Sequence, residues 1–209
     1  MYKIPVTNPA GEIDVRVYFP TEEAVAKGGF ETAGGKLPAY VDYHGGGFVI
    51  GNLGSDDIFC RQMCEGVGCI VLNVDYRLAP KFPHPVPALD CWTALLWTFE
   101  NAETLGIDPT RVSVGGPSAG GNLAAVVALK ARDEPKLPKL ALQLLIVPCT
   151  DARFIPIEGS CPPDVPYKSY IENEFAPCLP LNRMCWFYRL WLGTDVGKYH
   201  TLFTPSSLY

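Results

Sequence analysis

Long apolar runs, basic clusters and histidines are what this chain has little of. No stretch stays apolar and uncharged long enough to cross a bilayer, which argues against a helical membrane span. The 209 residues carry a formal net charge of -5 and no run of Lys or Arg. That removes the electrostatic footprint of a nucleic-acid binder or an anionic-membrane binder. Met1 to Ala10 has no apolar h-region, so a cytoplasmic location is expected. Histidine occurs only at His44, His84 and His200, which limits the candidates for general-base chemistry near neutral pH.

Cysteine is plentiful, but not in a pattern that builds a site. Cys60, Cys64, Cys69, Cys91, Cys149, Cys161, Cys178 and Cys185 are spread through a chain rich enough in apolar residues to form a full core. Reduced thiols are expected rather than a disulfide framework. Cys60 and Cys64 share a helix face, yet no CxxC and no nearby histidine completes a metal site. No metal and no cofactor is expected.

The apolar pattern alternates between strand and helix. Glu12 to Phe19 alternates apolar and polar residues like a half-buried strand, and Glu22 to Lys36 reads as its loop. Strands are expected at Leu37 to Tyr43, Cys69 to Val74, Arg111 to Gly115 and Leu140 to Val147. Helices are expected at Asp56 to Gly66, Ala88 to Leu105, Gly121 to Asp133 and Leu181 to Leu192. Trp92 and Trp97 fall on the core stripe of the second of these helices and need no cofactor to explain them. The alternation is the signature of parallel βαβ units, hence an α/β fold with a mainly parallel sheet of about six strands. A single domain over residues 1–209 is expected. Residues 151–192 interrupt the rhythm with Pro156, Pro162, Pro163, Pro166, Pro177 and Pro180, and read as a cap-like insertion.

Two glycine motifs carry the chemistry. Gly116-Pro117-Ser118-Ala119-Gly120 lies between the apolar run ending at Gly115 and the helical pattern from Asn122, so strand, tight turn and helix meet at Ser118. This is the setting of a nucleophile elbow. About seventy residues upstream, His44-Gly45-Gly46-Gly47-Phe48 follows another strand, and its glycines let backbone N–H groups approach an oxyanion. The N–H of Ala119, next to the nucleophile, is a further donor. Pro117 suits a strand end and leaves the elbow intact.

With these motifs, and with Val74-Asp75-Tyr76-Arg77-Leu78-Ala79-Pro80, the sequence resembles the hormone-sensitive-lipase-like branch of the α/β-hydrolase fold. The resemblance implies helices on both faces of the sheet and a strand order of 1-2-4-3-5-6-7-8. It also implies a carboxylic-ester hydrolase with Ser118 as nucleophile, Gly45, Gly46, Gly47 and Ala119 forming the oxyanion hole, and His44 supporting that loop. Lys81 stands where the family has glutamate, and Pro117 where it has aspartate. The family's acid and histidine, with its last two strands, would fall beyond Tyr209, so a truncated form of the fold is expected.

Within the chain, Asp151 is the candidate acid and His200 the candidate base, in the order Ser118, Asp151, His200. An exposed linker histidine is the competing reading of His200. The expected partner is a small or medium, largely apolar ester. A homodimer through the sheet edge at Leu140 to Val147 is also expected if that edge stays open. The alternative function is a catalytically impaired small-molecule binder of the same fold.

Overall fold

The computed structural model describes residues 1–30, 35–151 and 168–193. Six strands form one sheet: β1 (Tyr2–Thr7), β2 (Ala10–Tyr18), β3 (Leu37–Tyr43), β4 (Ile70–Asp75), β5 (Ile107–Pro117) and β6 (Leu142–Ile146). Their order is β1-β2-β4-β3-β5-β6. The first three neighbours in that order pair antiparallel, and β4, β3, β5 and β6 run parallel. The helices are α1 (Glu22–Lys27), α2 (Asp57–Val67), α3 (Val86–Glu100), α4 (Ala102–Leu105), α5 (Ala119–Asp133), α6 (Lys168–Glu172) and α7 (Leu181–Leu192).

Both faces of the central strands are covered, which is why they read as continuous apolar runs. Val41, Leu72, Val74 and Val114 are sealed together with Leu95 of α3 and Leu123 of α5. On the other face, Tyr40 and Val71 pack against Cys60 and Cys64 of α2. The shared helix face of these two cysteines is therefore core packing. Among the described residues the cysteines are free thiols, and no group of three His, Cys, Asp or Glu side chains could hold a metal ion. Among them, too, no helix is long and apolar enough to cross a membrane.

One strand is added and two local expectations are corrected. The N-terminal residues form β1, an edge strand whose Pro5 pairs with Glu12 of β2; proline is tolerated there because an edge strand has one side without a ladder to feed. The segment read as a loop after β2 contains α1. Thr21 caps it, its Oγ1 accepting from the Ala24 N–H at 3.2 Å, and Glu22 and Glu23 complement the dipole in its first turn. The long helix expected to reach Leu105 breaks at Asn101, whose side-chain amide donates to the Trp97 carbonyl at 2.8 Å.

A buried ion pair ties the loop after β4 to the rest of the molecule. Arg77 grips Asp90 of α3 through Nε and Nη2, each at 2.8 Å, while its own backbone N–H donates to the same carboxylate at 3.0 Å. The guanidinium also reaches the Pro9 carbonyl at 2.7 Å, in the turn between β1 and β2. With all these partners the desolvated charges are satisfied, the condition for a buried pair to be tolerated.

Candidate active site

Ser118 sits where β5 ends and α5 begins, with φ 54° and ψ -116°. A non-glycine residue reaches this backbone region only when its surroundings enforce it, at about 1–3 kcal/mol. The enforcement is visible. The Ser118 N–H still donates into the sheet, to the Ile146 carbonyl at 2.8 Å, while its carbonyl already accepts from Asn122 of α5 at 3.1 Å. The chain must reverse within one residue, and that thrusts Oγ out of the strand end.

Gly116 and Gly120 make the turn possible. A Cβ at either position would overlap the Tyr43 carbonyl at the end of β3. The elbow therefore nests directly against the start of the His44–Phe48 loop. Gly45 packs on Pro117, where an added Cβ would lie 3.3 Å from its carbonyl oxygen. Gly46 and Gly47 face the same cavity as Ser118. Ala119, fully buried, is the first residue of α5, so its N–H belongs to the unpaired positive end of that helix.

His44 is placed as a brace. Its Nδ1–H donates to the Gly45 carbonyl at 2.7 Å, and its ring stacks on Tyr76 at 4.3 Å with 13° between planes. The Tyr76 hydroxyl donates to the His44 carbonyl at 2.7 Å. Burial pushes the His44 pKa below its ordinary value, opposed by the Gly45 bond and by the charges of Asp75 and Asp56. The neutral ring therefore dominates at pH 7, with its proton on Nδ1.

Beneath this loop lies a buried polar layer. Among the described residues, the Tyr40 hydroxyl, both Asp42 carboxylate oxygens, His44 Nε2, Asp56 Oδ2 and Asn73 Oδ1 are buried with no partner at good hydrogen-bond geometry, although Tyr40 and Cys60 face the Asp42 carboxylate. Asp42 and Asn73 lie side by side across β3 and β4. Burial, then the charge of Asp56, pushes the Asp42 carboxyl up to about 7.

Sequence reasoning missed two neighbours of the serine. Cys149 approaches Ser118 Oγ with its sulfur at 3.8 Å, and Asn122 fixes this residue by donating from Nδ2 to the Cys149 carbonyl at 2.6 Å. Tyr188 of α7 closes the same side. Burial first, then the Cys149 thiol, pushes its hydroxyl well above the ordinary tyrosine range. Asn122 was the available signal, since it follows the elbow by one helical turn. Nothing in the sequence brings Cys149 to the serine, because that contact depends on where the chain turns after β6.

A cavity of about 860 Å³ opens above Ser118. Its walls are mostly apolar and include Ile50, Leu179, Met184, Trp186, Phe187 and Tyr188. Helix α7 does two jobs: Cys185, Tyr188, Trp191 and Leu192 are buried against the body, while Met184, Trp186 and Phe187 line the cavity. The candidate acid and base are not brought together among the described residues. Asp151 is half-buried past β6 and its charge acts on Tyr188. His200 lies outside the described residues. His84 is half-buried, edge-on to Trp191 at 5.4 Å, and its partial burial lowers its pKa to about 4. Neither His44 nor His84 lines the cavity that holds Ser118.

The sequence profile of the alpha/beta hydrolase fold matches residues 40–207, most of the chain and both glycine motifs. The chain belongs to the alpha/beta hydrolase family. It is 44% identical over 162 residues to an AB hydrolase superfamily protein of Schizosaccharomyces pombe, covering 77% of this chain and 45% of that protein. It is 42% identical over 198 residues to the carboxylesterase NlhH of Mycobacterium tuberculosis, covering 94% of this chain and 54% of the other. The solved structure of EstE1, a thermostable carboxylesterase from a metagenomic library, superposes with a TM-score of 0.80 at 35% identity, over 100% of this chain and 63% of that one. These relatives place this alpha/beta hydrolase in the hormone-sensitive-lipase-like branch. The chain spans about half the length of the curated relatives it matches.

Proposed function

We propose that this alpha/beta hydrolase chain carries the nucleophile and oxyanion hole of a carboxylic-ester hydrolase acting on small or medium, largely apolar esters. The observation that carries the reading is the strained Ser118 turn at the head of α5, opening onto an apolar cavity shared with Gly46 and Gly47. In this reading Ser118 Oγ attacks the ester carbonyl, and the amides of Gly46, Gly47 and Ala119 receive the negative charge that develops on its oxygen. Gly45 shapes the turn and His44 braces it. Such preorganised donors are worth about 3–4 kcal/mol each in related chemistry. The alcohol then leaves, and water releases the acyl group from Ser118. A cavity of about 860 Å³ suits an ester of this size. The relatives' names as carboxylesterases support the same reaction class.

The proton acceptor for Ser118 is the part of the reaction that the described residues do not supply. The test is turnover of p-nitrophenyl acetate, butyrate and octanoate by the purified chain, beside Ser118→Ala and His200→Ala. Slow hydrolysis that depends on Ser118 and ignores His200 is expected, because an unassisted serine hydroxyl is a poor nucleophile at neutral pH. Brisk turnover abolished by His200→Ala in a folded protein would install Asp151 and His200 as acid and base. Slow turnover indifferent to Ser118→Ala would make the chain a binding protein of the same fold.

A further inference from the structure

Phe48, the residue that follows the three glycines, has φ 65°, a left-handed conformation that a bulky side chain rarely adopts. Such a residue keeps its shape only if neighbours over-determine it. Two groups do so here. The Ala79 N–H donates to the Phe48 carbonyl at 2.9 Å, and the indole of Trp191 lies flat on the Phe48 ring, 3.7 Å between centroids and 9° between planes. Both aromatic side chains are buried, at 1% and 3% exposure, so the stack is a fixed part of the core.

The preceding residue meets the same helix. A Cβ on Gly47 would overlap the Phe187 ring. Helix α7 therefore touches two consecutive residues of the loop, one turn apart on its own surface, through Phe187 and Trp191. Its C-terminal end is anchored elsewhere: the Trp191 carbonyl accepts from the His84 N–H at 2.9 Å. Between those two contacts, α7 presents Tyr188 to the cavity, and Met184 and Trp186 line it as well.

We propose that Trp191 and Phe187 are positioning residues for the oxyanion loop, so that the helix forming the wall of the substrate cavity also fixes the Gly46 and Gly47 amides. The peptide plane that carries the Gly47 N–H is held through the Gly46 carbonyl, which accepts from the Val49 N–H at 3.1 Å and the Ile50 N–H at 3.0 Å, and the chain that follows it is pinned by Phe187 against Gly47 and by the Phe48–Trp191 stack. An acyl or alcohol group seated against α7 and the oxygen held by the loop are consequently registered by one rigid element. The kinetic consequence rests on the ester-hydrolase reading; the structural coupling does not.

The test is Trp191→Leu, which keeps an apolar side chain but removes the stack, with Trp191→Phe as the conservative rescue. Amide hydrogen exchange is followed across residues 44–51 and in β3 and β5, alongside kcat and KM for p-nitrophenyl butyrate. An aromatic stack supports up to about a tenfold change in local opening. Exchange at residues 46–50 is expected to rise by about that factor with β3 and β5 unchanged, kcat to fall more than KM rises, and Trp191→Phe to restore most of both. Faster exchange confined to α7, with residues 46–50 unaffected, overturns the proposal. A chain without measurable turnover defeats the ester-hydrolase reading but leaves the exchange result to decide the coupling. If Trp191→Leu loses the fold, Phe187→Ala, which opens the contact on Gly47 and spares the stack, is read by the same two exchange outcomes.

Discussion

Asp90→Ala is expected to destabilise the chain by about 3–5 kcal/mol, the range found when one partner of a buried ion pair is removed. Asp90 is 1% exposed and Arg77 10%, so water cannot replace the lost carboxylate. The Arg77 guanidinium and backbone N–H would lose three bonds at 2.8, 2.8 and 3.0 Å together. The loop they hold runs on through Ala79, whose N–H supports the Phe48 carbonyl, so the damage should extend to the His44–Phe48 loop. Urea unfolding followed by circular dichroism measures the loss. Destabilisation below about 1 kcal/mol, the range of a solvent-screened surface pair, would show that the pair is not buried in solution.

Asp42→Asn is expected to act in the opposite direction, and only above acidic pH. The folded carboxyl ionises at about 7 against an ordinary 3.8, chiefly because it is buried, and Asp56 adds a like charge. Tyr40 and Cys60 are the other titratable groups facing it. A carboxyl raised in the fold binds its proton more tightly there than in the unfolded chain. Stability is therefore highest below pH 4, declines as pH rises from about 4 to 7, and levels off above that. The neutral amide avoids the decline, so Asp42→Asn should match the wild type near pH 4 and exceed it by about 4 kcal/mol at pH 8. Thermal unfolding at both pH values tests this. Equal stability of the two proteins at pH 8 would mean that Asp42 is solvated.

How much of this was legible in the sequence depends on which contacts are local. The glycines around Ser118 and after His44 announce tight turns wherever they occur, and their place behind apolar runs located both at strand ends. The bounds of α7 were legible because Leu181 to Leu192 repeats apolar residues at helical spacing after Pro180. By contrast, β1 was hidden by Pro5, which lowers strand propensity everywhere except at an edge, and edge position is a tertiary fact. The start of α1 had a readable signal in Thr21 followed by Glu22 and Glu23, outweighed by the glycines beyond it. The polar layer beneath the His44–Phe48 loop was not legible at all. Asp42 stands in an otherwise apolar strand, and only the pairing of β3 with β4 and the packing of α2 place Asn73, Asp56 and Cys60 around it. Cys149 beside Ser118 is invisible for the same reason, since it requires the chain path after β6.

The central claim, that Ser118 is the nucleophile of an ester-hydrolase site, is tested most directly by covalent labelling. The chain is incubated with an alkyl p-nitrophenyl phosphonate, and the adduct is located by intact mass and peptide mapping. Attack by Ser118 Oγ forms an oxygen–phosphorus bond and expels p-nitrophenolate, with the serine proton passing to solvent. The account predicts one phosphonyl group per chain, on the peptide carrying Ser118, and none on Ser118→Ala. A label on Cys149 or Tyr188 instead, or an unlabelled Ser118 after prolonged exposure of the folded chain, would contradict it.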